Sequence, residues 1–295
     1  VRKESFEAYH GTFQKYLNTI AAMYAGSVKL DTYYTNARGY ESACERALFA
    51  SNVPLRVYDS LVQAVHEGLP IMRRYLELRK KVLGLSELNM YDLYCPMVED
   101  IDLHLDFAQA KELVLEATAP LGEAYRALLL RAFDERWIDV YENKGKTTGA
   151  FSCGVYGVHP YVLMNFAGSL DDAFTLAHEL GHSMHSYFSD HAQDFANHDY
   201  RILVAEVAST VNEVLLTKFL LSREDDPKRR AYILNHFLEG FRTTVYRQTL
   251  FAEFERKAHE LYQQGEPLTA DTLSALYREL NDLYYEGAVN NALQD

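Results

Sequence analysis

His178-Glu179-Leu180-Gly181-His182 sets two imidazoles four residues apart, with a carboxylate directly after the first. On an α-helix that spacing puts both imidazoles on one face within about one turn, ~6 Å along the axis, where one ring nitrogen from each can converge on a single Zn2+. Glu179 is turned about 100° from His178. Its carboxylate can therefore stand beside a water at the metal without taking a coordination position, which is where a general base is needed. The chemistry implied is hydrolysis by a metal-activated water.

A catalytic zinc takes three protein ligands and leaves a fourth position for water. His185 lies on the same stripe but about 10 Å along the axis from His178, too far to share the metal, so it packs or touches the site from outside. The pattern HExxHxxGxxH fails at His185 and Phe188, which excludes that class of metallopeptidase. The third ligand is then sought on a second helix. Glu206 stands in the apolar stretch 202–216, where a buried carboxylate would cost several kcal/mol unless a cation compensated for it, and it is the expected third ligand. Glu213 falls two turns later on nearly the same face, where it either orients one imidazole through the ring nitrogen that does not meet the metal or points to solvent. Gly181 costs about 1 kcal/mol relative to alanine inside a helix, which makes sense if something must approach its backbone closely.

The elements that would hold these residues are mostly helical. Ser169-Leu-Asp-Asp172 has the form of a helix-start box, followed by apolar residues at Phe174, Ala177 and Met184. Helices are predicted at 201–221, 228–264 and 270–286, with Pro227, Gly265 and Pro267 between them. Upstream, Phe6, Tyr9, Phe13, Tyr16, Leu17 and Ile20 make an amphipathic stripe over 3–24. Asn52 and Pro54 open a helix ending near Gly68, and Pro70 opens another to about Gly84. Asp106 caps a helix through Ala117, and the break Pro120-Leu121-Gly122 leads into one ending near Glu135. Between Trp137 and Phe166, glycines at 145, 149, 154 and 157 break short β-type runs at 137–141 and 161–166. The expected architecture is a single, mainly α domain over 1–295: helical hairpins at 1–135, a small β region at 136–168 beside the HExxH helix, and metal-binding helices at 169–295.

Composition narrows the partners. The formal net charge of −13 argues against nucleic acid or an anionic membrane as principal partner. No apolar run reaches the roughly 18 residues needed to span a bilayer. Cys44, Cys95 and Cys153 are too few and too scattered for a disulfide framework or a metal knuckle, which suits a reducing, cytoplasmic setting.

His178 to His185, together with Ala205-Glu-Val-Ala-Ser-Thr-Val-Asn-Glu213, resembles the oligoendopeptidase F branch of the thimet-type (M3) zinc oligopeptidases. So do Met90 to Tyr94, Trp137 to Gly145, His159-Pro-Tyr161 and Phe241 to Thr249, so the likeness covers most of the chain. It implies a helical zincin-type metallopeptidase with a deep channel, acting on short unstructured peptides. It places one zinc on His178, His182 and Glu206, with Glu179 as base. It also implies that 154–165 forms a sheet edge lining the channel, with Gly154, Tyr156, Gly157, His159 and Asn165 as substrate contacts. A strand edge grips any peptide through its main chain; Tyr161, Leu163 and Phe166 can equally pack under helices. Members of the family continue past the stretch matching Tyr284 to Gly287 with a histidine- and tyrosine-bearing segment, and begin well before Val1, so a piece of a longer enzyme is expected.

The expected activity is therefore zinc endopeptidase cleavage of oligopeptides. The competitors are an aminopeptidase or carboxypeptidase with the same metal set, which needs a charged anchor for a peptide terminus, and a catalytically silent peptide-binding module. A structural zinc is usually closed by four protein ligands, whereas three are found here. Arg242 and Arg247 either brace a buried helix face or line the channel.

Overall fold

The computed structural model describes residues 1–98 and 104–293. The chain is mainly α-helical and divides into two compact units, one made of residues 1–99 and 235–295, the other of residues 100–234.

The second unit carries the residues of interest. Asp106 caps α5 (Phe107–Ala117) by accepting from the Gln109 N–H, while the Gln109 side chain reaches back to the Asp106 N–H. Gly122, with φ +93°, opens α6 (Glu123–Asp134). Three short strands follow, β1 (Ile138–Asp139), β2 (Phe151–Cys153) and β3 (Tyr161–Leu163), in the order β1-β3-β2. β3 pairs parallel to β1 through Ile138 and Val162, and antiparallel to β2 through Ser152 and Val162, so the strand within 154–165 is central and not the expected sheet edge, and β2 lies at an edge instead. Ser169 caps α7 (Leu170–Ala192) through the Asp172 N–H, and α8 (Ile202–Arg223) packs along it. Leu129, Trp137, Met164, Phe166, Leu176, Leu180 and Leu216 build one core beneath both helices. Phe166 thus packs inside, whereas Tyr161 stays exposed.

In the first unit the stripe over 3–24 is not one helix but two, α1 (Arg2–Gln14) and α2 (Leu17–Ala37), with neither glycine nor proline at the break. No residue of α1 is buried; Tyr9, 63% exposed, instead packs edge-on against Phe13 of its own helix. A short helix, α3 (Ala43–Phe49), comes next. Pro70 does not open a helix, because it lies inside a continuous α4 (Leu55–Val82). A proline there leaves the His66 carbonyl without its helical N–H, yet buried Leu69 and Met72 on either side hold the turn in the core. The segment expected at 228–264 is helical throughout, as α9 (Pro227–Gly240), a π-helical stretch over 241–246, and α10 (Arg247–Gln263); α11 (Ala270–Tyr285) ends the set. Arg242, in the π-helical stretch, is a buried brace, and Arg247 lies over the Phe251 ring at 4.8 Å. No helix among the described residues is long and apolar enough to cross a membrane.

Candidate metal centre

α7 and α8 meet at Gly181. A Cβ there would stand 2.7 Å from the Ala208 carbonyl oxygen and from the Ser209 Cα, so only glycine lets the two backbones come this close. The approach anticipated for this glycine is therefore present, and its consequence is geometric. His178 and His182, one turn apart on α7, face Glu206 across the contact, and the three donor atoms lie within 4.8 Å of one another. Glu206 Oε2 is 3.3 Å from His178 Nε2 and 3.2 Å from His182 Nε2, and the two Nε2 atoms are 3.1 Å apart.

Each of the three side chains also has a partner on α8. His178 Nδ1 lies 2.5 Å from Glu213 Oε1, and the His182 ring hydrogen-bonds the Ala205 carbonyl. Ser209, fully buried, donates from Oγ to Glu206 Oε2 at 2.7 Å. With the outer ring nitrogens acting as donors, both inner nitrogens and the carboxylate oxygen turn lone pairs toward one another. That arrangement is mutually repulsive unless a cation sits among them, and two imidazoles with one carboxylate are a donor set that zinc accepts. Glu213 thus meets the His178 ring with one carboxylate oxygen while its side chain stays 39% exposed.

The burial argument that singled out Glu206 does not hold, because its side chain is 59% exposed. What marks it instead is convergence with the histidines. Glu179 is the buried carboxylate, 7% exposed, and the backbone N–H of Ser152 on edge strand β2 donates to it. Burial pushes its carboxyl above the usual range, the nearby charges of Glu206 and Glu213 add to this, and His178 and the Ser152 N–H oppose it. Burial works against a charged His178, but the Glu213 hydrogen bond and the surrounding carboxylates outweigh it, and its pKa is raised. For His182 burial wins and the pKa is lowered, with Glu206 in opposition. His185 is not among the converging donors and stacks on Tyr200 with ring centroids 3.7 Å apart.

The residues expected to contact substrate are placed unevenly. Gly154 sits where a Cβ would meet the Ser186 side chain at 2.8 Å, and Gly157 has φ +84°. Tyr156 donates to the Gln193 carbonyl at 3.3 Å and packs against His198. The His159 ring stacks on Trp137 at 4.9 Å. Asn165 spends both amide N–H groups on the carbonyls of Thr147 and Gly149. Sequence reasoning passed over Ser209, although its position three residues after Glu206 on one helix face was a readable signal. It also passed over Ser152, whose role is set by its backbone and left no trace in residue type.

The chain matches the family model for peptidase family M3 over residues 1–293. It is 49% identical over 285 residues to "Oligopeptidase PepF" of Bacillus subtilis, a match covering 97% of this chain and 42% of the relative. It is 45% identical to "Oligoendopeptidase F, chromosomal" of Lactococcus lactis subsp. cremoris, covering 97% of this chain and 47% of the relative. Among solved structures, oligoendopeptidase-F from Enterococcus faecium superposes with a TM-score of 0.73 at 37% identity, covering 98% of this chain and 44% of that one. "PZ peptidase A with inhibitor 2" shares the fold alone, with a TM-score of 0.77 at 18% identity over 97% of this chain and 51% of that one. The chain spans about half the length of these relatives. The matched residues run through both helices of the cluster, and the chain belongs to peptidase family M3, in its oligoendopeptidase F branch.

Proposed function

We propose that this chain carries the catalytic centre of a zinc metalloendopeptidase that hydrolyses internal bonds of short, unstructured oligopeptides. The observation that carries the reading is the convergence of His178 Nε2, His182 Nε2 and Glu206 Oε2 within 4.8 Å beside a buried glutamate. The relatives named as oligopeptidases support the substrate class, and the unpaired Cys44, Cys95 and Cys153 suit a cytoplasmic setting. Residues 1–295 are taken as one catalytic domain, with the metal residues all in the second unit.

His178, His182 and Glu206 would hold one Zn2+, which when bound supplies a Lewis acid that polarises the scissile carbonyl and acidifies water. Glu179 takes the proton from the attacking water and then delivers it to the leaving amine, so one carboxyl serves both steps. Its raised pKa suits both duties, since a carboxyl nearer neutrality is a better proton acceptor and a usable donor. Glu213 and the Ala205 carbonyl hold the two imidazoles with their inner nitrogens free of protons. Gly154, Tyr156, Gly157, His159 and Asn165 remain the proposed substrate contacts. Edge strand β2, whose Ser152 N–H reaches Glu179, is the main chain against which a peptide would lie.

The test is cleavage of a peptide blocked at both termini, followed by mass spectrometry. Internal cuts that disappear with chelator and return with zinc support the reading. Cleavage only of peptides with a free terminus would replace it with an exopeptidase.

A further inference from the structure

The orienting partners of His178, His182 and Glu206 all come from α8. The register of α8 on α7 therefore decides whether the three donor atoms meet. Gly181 sets how near the backbones come, but a bare backbone contact leaves the helices free to slide and turn. A slip of one residue moves α8 by about 1.5 Å and turns it by about 100°. That is large against donor separations of 3.1 to 3.3 Å.

One directional contact removes this freedom. Asn212 on α8, 1% exposed, donates from Nδ2 to the carbonyl oxygen of Ala177 at 2.9 Å. Ala177 is the residue before His178, and Asn212 is the residue before Glu213. The amide is held from its other side by Tyr125 on α6, whose hydroxyl donates to Asn212 Oδ1 at 3.1 Å and whose oxygen lies 2.9 Å from Asn212 Nδ2. Burial pushes the Tyr125 phenol to about 12, so it keeps its proton throughout the neutral range. The other polar links between α7 and the α8 residues named here end on the candidate ligands, whereas Asn212 touches none of them.

We propose that Asn212, braced by Tyr125, is a positioning residue that fixes the register of α8 on α7 and so holds Glu206 and Glu213 opposite the two histidines. This rests on reading the cluster as a metal site. A buried amide with donor and acceptor both engaged has a single satisfied orientation, which is what a register pin requires.

The experiment loads the chain with Co2+, whose visible absorption reports coordination geometry, and compares wild type with Asn212→Leu and Tyr125→Phe. Asn212→Leu should weaken Co2+ binding about 10- to 100-fold, the range for lost orienting contacts, and change the spectrum at saturation. Tyr125→Phe should act in the same direction by less, and adding it to Asn212→Leu should cost nothing further, because the phenol acts through the amide. Leu76→Ala, a fully buried change in the separate core of the first unit, should lower Tm without altering affinity or spectrum. If Asn212→Leu and Tyr125→Phe lower Tm but keep wild-type affinity and spectrum, the positioning role is overturned while the metal reading stands. Failure of wild type to bind Co2+ overturns both.

Discussion

Two polar clusters in this molecule are built from similar parts and come out differently. Around Glu239 in the first unit, one carboxylate meets two guanidiniums, Arg79 Nη2 at 2.7 Å and Arg242 Nη2 at 2.7 Å, and also accepts from the Tyr75 hydroxyl. Both arginines are almost fully buried, and they are held further by the Cys95 carbonyl and the Tyr94 ring. The protein answers that negative charge itself. In the second unit, the described partners of Glu179, Glu206 and Glu213 are imidazoles, a serine hydroxyl and a backbone N–H, and the lone pairs of His178, His182 and Glu206 converge. A cluster that neutralises itself is a brace. One that gathers three carboxylates and two imidazoles around converging lone pairs is the one we propose takes a cation from outside.

The sharpest way to break this contrast is at Glu179. Glu179→Gln should keep zinc while peptide hydrolysis falls about 10²- to 10⁴-fold, measured as turnover at matched metal content. Near-full turnover in the metal-replete variant would remove its role as base. Glu239→Gln should do the opposite, destabilising the fold by about 3–5 kcal/mol in urea melts, because it strands two buried guanidiniums, with no change in zinc affinity. Its acid behaviour has a definite sign. Burial opposes the charge of Glu239, but Arg242, Tyr75 and Arg79 outweigh it and hold the carboxyl below its ordinary 4.5. Its contribution to stability is therefore fully present above pH 4.5 and is lost as pH falls through the lower folded value, a slope that Glu239→Gln should flatten. In the metal cluster, Glu213→Ala should weaken zinc about 10- to 100-fold by chelator competition, and Glu206→Ala should weaken it further. The reverse order would mean that the ligand and the orienting residue have been exchanged. Smallest is Gly181→Ala: the gain of about 1 kcal/mol in helix propensity offsets part of an overpacking cost of about 1–3 kcal/mol, so Tm should fall slightly while zinc affinity drops as α8 is pushed away.

How much of this was legible in the sequence depended on how local the cause was. α5 and α7 were readable to their first residues because Asp106 and Ser169 satisfy N–H groups only three positions away. The histidine pair and Glu179 were readable because a helix converts spacing directly into geometry. Glu206 was selected on an incorrect premise, burial, since sequence hydrophobicity cannot say which face of α8 is exposed. Pro70 was misread as a helix start because what carries the helix through it is the burial of Leu69 and Met72 in a core completed by Leu250 and Leu280, far along the chain. Asn212 looked like an ordinary polar residue, and only the packing of three helices gives its amide a purpose.

The central claim is that His178, His182 and Glu206 form a metal site, and X-ray anomalous scattering across the zinc absorption edge of zinc-loaded crystals tests it most directly. The account predicts one strong peak per chain, bounded by His178 Nε2, His182 Nε2 and a Glu206 carboxylate oxygen, with Glu179 close by and not bonded to the metal. Absence of a peak there in protein that has bound one equivalent of zinc, or a peak ligated by Glu213 in place of Glu206, would contradict it.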